Sequence, residues 1–254
     1  MILSRSFRNF ACAVLAIFCG LATNVSAQES DAWTKGNQEY AAGHFREAAD
    51  LYETLVKSGQ TSASVFYNLG NARFRTGELG QSILNYERAL ALEPQHPEAA
   101  ANLRLVRDKA RALELKKSWI ESWAARLTTA QFSIAAAVAF WVAAFALAEL
   151  FLARRRSVAL VGVFVFSLVA FGVALYGLFS HETGPSGRAL AIVVLKNTDA
   201  RLATADNAGT VLTLPPGSEI KILSTRGDWI YASLPNDLRG WIPAKNAELV
   251  RVSL

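Results

Sequence analysis

The sequence predicts a multi-domain α + β membrane protein: an α-helical solenoid, a transmembrane helix hairpin and a small β-barrel, in that order. Three observations predict it. Residue types recur at a period of 34 between positions 32 and 94. Two long apolar runs, 132–152 and 158–179, follow with only a short turn at 153–157 between them. Beyond Gly187 the chain changes to short β-rich runs punctuated by Pro and Gly. Of the 254 residues, 52 % are hydrophobic and 19 % charged, a balance that excludes disorder throughout.

Residues 1–27 read as a secretory signal peptide. Arg5 and Arg8 open it, residues 10–22 form a short apolar stretch, and Val25-Ser26-Ala27 is a small-residue cleavage site. Both cysteines, Cys12 and Cys19, lie inside it, so the chain after cleavage has no thiol. That excludes a disulfide, an iron–sulfur cluster, a Cys-ligated zinc and a cysteine nucleophile. The formal charge of +5 is local. Residues 28–127 carry 13 basic and 13 acidic side chains, and the excess lies chiefly at Arg5, Arg8, Arg154, Arg155 and Arg156. These flank apolar segments, so the charge reads as a membrane-insertion signal and not as a nucleic-acid surface.

Within the repeat, Gly36 and Asn37 recur as Gly70 and Asn71, Tyr40 as Phe74, Gly43 as Gly77 and Phe45 as Leu79. Ala48 recurs as Ser82, Tyr52 as Tyr86 and Leu55 as Ala89, and Pro94 closes the second unit. Small residues at 36, 48, 70 and 82 let neighbouring helices approach, and Gly43 and Gly77 suit left-handed helix ends. The pattern resembles the tetratricopeptide repeat (TPR) family, which implies a TPR solenoid of two helix–turn–helix units within 28–118. Two units leave an apolar end, and residues 98–118 are expected to cap it as a helix burying Ala99, Leu103 and Val106. In that family the first helix of each unit lines a groove for partner peptides. The resemblance implies groove positions at Trp33, Asn37, Tyr40, Tyr67, Asn68, Asn71, Phe74 and Arg75. Asn37 and Asn71 then stand ready to hydrogen-bond a peptide backbone. Each aromatic among these residues is equally suited to packing inside the stack. Trp33 and Tyr67 occupy positions where relatives that clamp a C-terminal carboxylate carry lysine.

The runs at 132–152 and 158–179 contain 21 and 22 residues. At about 1.5 Å per residue, each is long enough to cross a bilayer as a helix. Trp119 and Trp123, in a juxtamembrane segment at 119–131, suit the headgroup level. Arg154, Arg155 and Arg156 place the 153–157 turn in the cytoplasm. Both flanking parts then face out, as a cleaved leader also requires. The expected location is the bacterial inner membrane, two-pass, with the lipid bilayer as a partner and both soluble parts periplasmic.

After a linker at 180–187, residues 188–254 show the turn signals Leu214-Pro215-Pro216-Gly217, Gly227-Asp228 and Asn236-Asp237 between about five short apolar runs. The order of motifs resembles the bacterial SH3 family. Asp199-Ala200-Arg201, Leu214-Pro215-Pro216-Gly217-Ser218, Gly227-Asp228-Trp229 and Gly240-Trp241-Ile242 match that family's opening strand, its Pro-Gly turn and its two tryptophan motifs. The likeness implies a small SH3-like β-barrel. Many relatives bind cell-wall peptide, which implies a groove at Trp229, Tyr231 and Trp241; the same rings also suit the core of so small a barrel.

No catalytic constellation is present. His44, His96 and His181 have no partner at metal-ligand spacing, and no phosphate-binding glycine loop or Gly-x-Ser-x-Gly elbow occurs. The chain reads as non-enzymatic, with no cofactor and no nucleic-acid partner. The order of leader, TPR units, hairpin and SH3-like part resembles the E-type of the aerotolerance (Bat) family. That resemblance implies partners among membrane-anchored von Willebrand A-domain proteins and a MoxR-type ATPase system. It points to a scaffold in an aerotolerance or envelope-stress complex. Two alternatives fit the same residues: a peptidoglycan-binding tether that recruits a wall enzyme, and an assembly factor for cytochrome maturation or secretion.

Overall fold

The computed structural model describes residues 31–117, 119–124, 126–152, 157–183 and 187–251. The expected signal peptide at 1–27, the arginines at 154–156 and Gly184, Pro185 and Ser186 of the linker lie outside these residues.

Five helices come first: α1 (Asp31–Ala42), α2 (Phe45–Lys57), α3 (Ala63–Arg75), α4 (Leu79–Leu92) and α5 (Pro97–Ala110). The pairs α1–α2 and α3–α4 are two helix–turn–helix units, and α5 begins a third. The sequence repeat is also a repeat of hydrogen bonds. The amides of Gly43 and His44 return to the carbonyls of Tyr40 and Glu39 at 3.1 and 2.9 Å; those of Gly77 and Glu78 return to Phe74 and Arg73 at 3.1 and 2.9 Å. Both glycines take positive φ, +86° and +83°. Tyr52 and Tyr86 are buried between the helices, and Gly36 and Gly70 make room for them. A Cβ on either glycine would stand 2.8 Å from the Cε1 of its tyrosine. Ser62 caps α3 by accepting the Val65 amide at 3.1 Å.

Helix α5 buries Ala99, Leu103 and Val106 as their spacing predicts. It ends at Ala110, however, and not near 118. Arg111 turns left-handed and the Ala112 amide returns to the Arg107 carbonyl at 3.1 Å. Residues 112–117 are neither helix nor strand, and along them Leu113 and Leu115 pack on different cores. This strap carries the backbone onto the C-terminal domain. Leu113 donates its amide to Ser218 Oγ at 3.1 Å and accepts the Glu219 amide at 2.8 Å.

Next come α6 (Trp119–Ala124), α7 (Thr129–Leu152) and α8 (Val158–Thr183). Helices α7 and α8 are long and apolar enough to cross a membrane. Phe132 at the start of α7 lies over Gly177 near the end of α8, so the pair is an antiparallel hairpin. Ala136, Ala139, Ala143 and Ala146 form the buried seam of α7, at spacings of three and four that suit close helix approach. The large side chains, including Phe140, Trp141, Phe166 and Val169, point outward and are exposed. An apolar exterior around a small-residue seam is the arrangement hydrocarbon favours.

The C-terminal domain is one antiparallel sheet of seven strands: β1 (Leu190–Val193), β2 (Thr198–Arg201), β3 (Thr210–Leu214), β4 (Glu219–Arg226), β5 (Trp229–Ser233), β6 (Arg239–Pro243) and β7 (Ala247–Leu249). Its order is β3-β2-β6-β5-β4-β1-β7. The sheet is open: among the described residues no ladder joins β3 to β7. It wraps a core of Ala191, Val193, Ala200, Leu214, Ile220, Ile230, Ala232, Leu234 and Ile242.

The repeat helices and the sheet share a second core. Ile83, Leu84 and Tyr86 of α4 and Leu103 and Val106 of α5 pack with Leu190 and Ile192 of β1 and with Val250. A Cβ on Gly80 of α4 would stand 2.5 Å from the Val194 carbonyl, which measures how closely helix and sheet approach. Gln81 donates to Glu248 at 2.7 Å across the same seam. At its edge Glu219 is fully buried, accepting from Arg107, from Lys117 at 3.1 Å and from the Leu115 amide at 3.1 Å. Glu87 bonds the same Arg107. Burial pushes Glu87 above the usual carboxylate range more than Arg107 pulls it down, and the neighbouring Glu219 adds to the rise.

Candidate functional site

Helices α1, α3 and α5 stand side by side, and an asparagine ladder crosses them. The Tyr52 hydroxyl donates to Asn37 Oδ1 at 2.7 Å, and Asn68 Nδ2 donates to the same oxygen at 3.1 Å. Thirty-four residues later the pattern repeats: the Tyr86 hydroxyl donates to Asn71 Oδ1 at 2.6 Å and Asn102 Nδ2 donates to it at 3.0 Å. Burial pushes both phenols up to about 12, so they remain donors across the physiological range. With both lone pairs of each oxygen engaged, the amide orientation is set. The Nδ2 groups of Asn37 and Asn71 have no acceptor among the described residues.

The aromatic groove candidates are packed. Trp33 lies 5.8 Å from Tyr52, and Tyr40 meets Phe45 edge-on at 5.2 Å. Tyr67 sits between Tyr86 at 6.1 Å and His96 at 4.9 Å. Phe74 packs on the core shared with the sheet, and Lys109 Nζ lies 4.8 Å above its ring. Arg75 stacks its guanidinium 4.1 Å over Phe45. The same face carries two stripes at helical spacings of three and four, Ser64, Asn68, Asn71 and Arg75 on α3 and Glu98, Asn102, Leu105 and Lys109 on α5. The asparagines are half-buried, as the aromatic candidates are, and the other five are exposed. Leu105 is 55 % exposed, an apolar side chain at the position where the two preceding first helices carry asparagine. Asn102 and Leu105 were not among the sequence candidates, although each lies 34 residues beyond one of them.

On the sheet, Trp229, Tyr231 and Trp241 face away from the core, which Ile230, Ala232 and Ile242 fill. Tyr231 and Trp241 pair across β5 and β6 with ring centroids 5.0 Å apart. Arg201 pairs with Trp241 on β2, and Ser224 with Tyr231 on β4, so one polar–aromatic row crosses four strands.

The histidines lie apart from one another. His44 Nδ1 lies 2.7 Å from Glu39, and His96 Nδ1 accepts the Ala99 amide at 3.4 Å as the cap of α5. Among the described residues no three His, Cys, Asp or Glu side chains gather as a metal site.

Residues 34–99 match the tetratricopeptide repeat family. The match runs from α1 to the first turn of α5, the stretch that carries the asparagine ladder apart from Asn102. TPR modules are protein-interaction modules and are typically non-catalytic. No curated protein matches the chain.

Proposed function

We propose that the chain is a non-enzymatic, membrane-anchored adaptor that binds protein partners through the first-helix face of its TPR units. The TPR match over residues 34–99 carries this reading. The asparagine ladder supports it further, because amide donors left over beside exposed Leu105 suit an extended peptide, with hydrogen bonds to its backbone and an apolar anchor. Helices α7 and α8 are the anchor in this reading, with the TPR and SH3-like parts together on the periplasmic side of the inner membrane. The order of parts supports a place in an aerotolerance or envelope-stress complex beside von Willebrand A-domain membrane proteins and a MoxR-type ATPase system. Affinity purification of the detergent-solubilised chain tests this. Membrane partners that are retained by the native chain and lost on Leu105→Glu are expected; identical partner sets for both contradict the proposal.

The row of Ser224, Tyr231, Trp241 and Arg201 favours one second reading, a peptidoglycan tether, since half-buried aromatic rings on the outer face of the sheet, flanked by polar groups, suit wall fragments. Purified sacculi that pellet the chain, and fail to do so after Trp241→Ala, would move the assignment there.

A further inference from the structure

A cavity of about 390 Å³ opens where three parts of the chain meet: the repeat helices, the first turn of α7 and the end of the sheet domain after β7. Arg88 of α4 and Arg251 are its two cations. Thr61, Thr128 and Thr129 bring hydroxyls, and Val56, Phe66 and Leu92 form an apolar wall.

Arg88 lies over the Phe66 ring, 5.9 Å from its centroid, and is bonded to the end of the sheet domain. Its Nη2 reaches Glu248 at 3.3 Å and the Leu249 carbonyl at 3.0 Å, while its Nε–H is buried with no acceptor. That Nε is closed to the cavity as well as to solvent, so Arg88 can meet a ligand only through its Nη atoms. Burial lowers Arg88 against the opposing pull of Glu248, and lowers Arg251 against that of Glu182. The third element is the positive end of α7. Thr128 and Gln131 close a reciprocal cap at 2.8 and 3.2 Å, which leaves the amides of Thr129 and Ala130 without intrahelical acceptors in residues that line the cavity.

Two guanidiniums, three hydroxyls and a helix N-terminus describe a receptor for a tetrahedral oxyanion. Position selects the source. Helix α7 is the first of the two helices apolar enough to cross a membrane, so its first turn lies at the depth of lipid phosphates. The wall of Val56, Phe66 and Leu92 adds apolar contact that glycerol and acyl carbons use and a free phosphate does not. We infer that this cavity binds the phosphate of an anionic phospholipid headgroup, with Arg88 and Arg251 as its cations. The inference rests on the proposed reading of α7 and α8 as membrane-spanning. A lipid held there ties helices, sheet and hairpin together and sets the tilt of the TPR face relative to the bilayer.

The test uses the full chain, delipidated in mild detergent, with phosphatidylglycerol titrated in and retention followed by native mass spectrometry. One phosphatidylglycerol is expected per chain. Arg251→Gln should weaken it about tenfold, because one charge-assisted contact is lost. Arg239→Gln, an exposed arginine on β6, should leave it unchanged. Arg88→Lys keeps the charge and removes the guanidinium fork, and should lie between. Equal retention by native chain and Arg251→Gln overturns the site. Displacement of the lipid by millimolar inorganic phosphate overturns the lipid assignment in favour of a free anion. Carbonate extraction of native membranes separates the two readings. Release of the chain into the wash defeats the membrane reading itself, whereas a chain that stays in the membrane and shows no lipid selectivity defeats only the site.

Discussion

Arg107 on α5 holds Glu219 of β4 across 112 residues of sequence, in the same role in which Arg73 on α3 holds Glu78 across five. The two arginines are one repeat apart. Each also bonds the glutamate of the preceding helix, Glu53 for Arg73 at 2.7 Å and Glu87 for Arg107. In the first case the second carboxylate comes from the turn that opens the next helix of the unit. After α5 that helix does not follow, and the sheet domain supplies the carboxylate instead. The sheet thus terminates the stack, covering α4 and α5 where the remainder of a third unit would lie.

Removing each arginine should therefore have unequal effects. Arg107→Ala strands Glu87, whose side chain is 13 % exposed, and leaves fully buried Glu219 only Lys117 and the Leu115 amide, a class of loss of about 3–5 kcal/mol. Arg73→Ala frees glutamates that are 36 % and 42 % exposed, which solvent screens to about 0.2–1 kcal/mol. Thermal melting of the detergent-solubilised chain checks the ordering. Limited proteolysis should also cut the strap at 112–117 in Arg107→Ala and not in Arg73→Ala.

The same cluster sets a pH dependence. Glu87 is raised in the folded state, so between its unfolded and folded pKa values the folded chain holds a proton that the unfolded chain has released. Its contribution is fully present below the unfolded value and declines as pH rises through the folded one. Glu53 behaves oppositely. Burial pushes it up, but Lys57 and Arg73 together bring it below the usual range, so its contribution is lost as pH falls. Glu87→Gln should flatten the decline of melting temperature above the ordinary carboxylate range, and Glu53→Gln should flatten the acid-side loss.

Close approach gives a third test. Gly70→Ala drives a methyl into the Tyr86 ring and Gly80→Ala drives one into the Val194 carbonyl. Overpacking of this kind costs about 1–3 kcal/mol. Gly70→Ala should lower the melting temperature of the repeat helices. Gly80→Ala should act at the helix–sheet seam and expose the strap to protease. Adding Tyr86→Leu should partly rescue Gly70→Ala and leave Gly80→Ala unaffected.

Tyr86→Phe removes one of the two donors that orient the Asn71 amide. A modest stability loss of about 0.5–1.5 kcal/mol is expected, together with weaker capture of partners, because the amide is free to rotate. Partner capture unchanged in Tyr86→Phe would show that the amide orientation is irrelevant to binding.

Much of the fold was legible because its signals are local. The 34-residue spacing exposes the helix ends, the tyrosine–glycine contacts and, had it been followed past Pro94, the positions of Asn102 and Leu105. The apolar runs bound the hairpin to within a few residues. The seam between helices and sheet was not legible. No local pattern marks Glu219 for burial; Arg107 of α5 and the strap that follows it cover the carboxylate. Trp229, Tyr231 and Trp241 are bulky enough to suggest a core, but the sheet encloses room for Ile230, Ala232 and Ile242, and the rings turn outward. Among the groove candidates the aromatics and the asparagines are alike half-buried, and only Arg75 is exposed.

Site-specific photo-crosslinking from the open face of α3 and α5 tests the central claim most directly. With photo-reactive side chains at Ser64 and Leu105 in intact cells, adducts to a membrane-bound protein are expected from both positions, and are expected to be absent from a control at exposed Asp50 on α2. Adducts of equal yield from Asp50, or none from Ser64 and Leu105 in a folded and inserted chain, would contradict a binding face on the first helices.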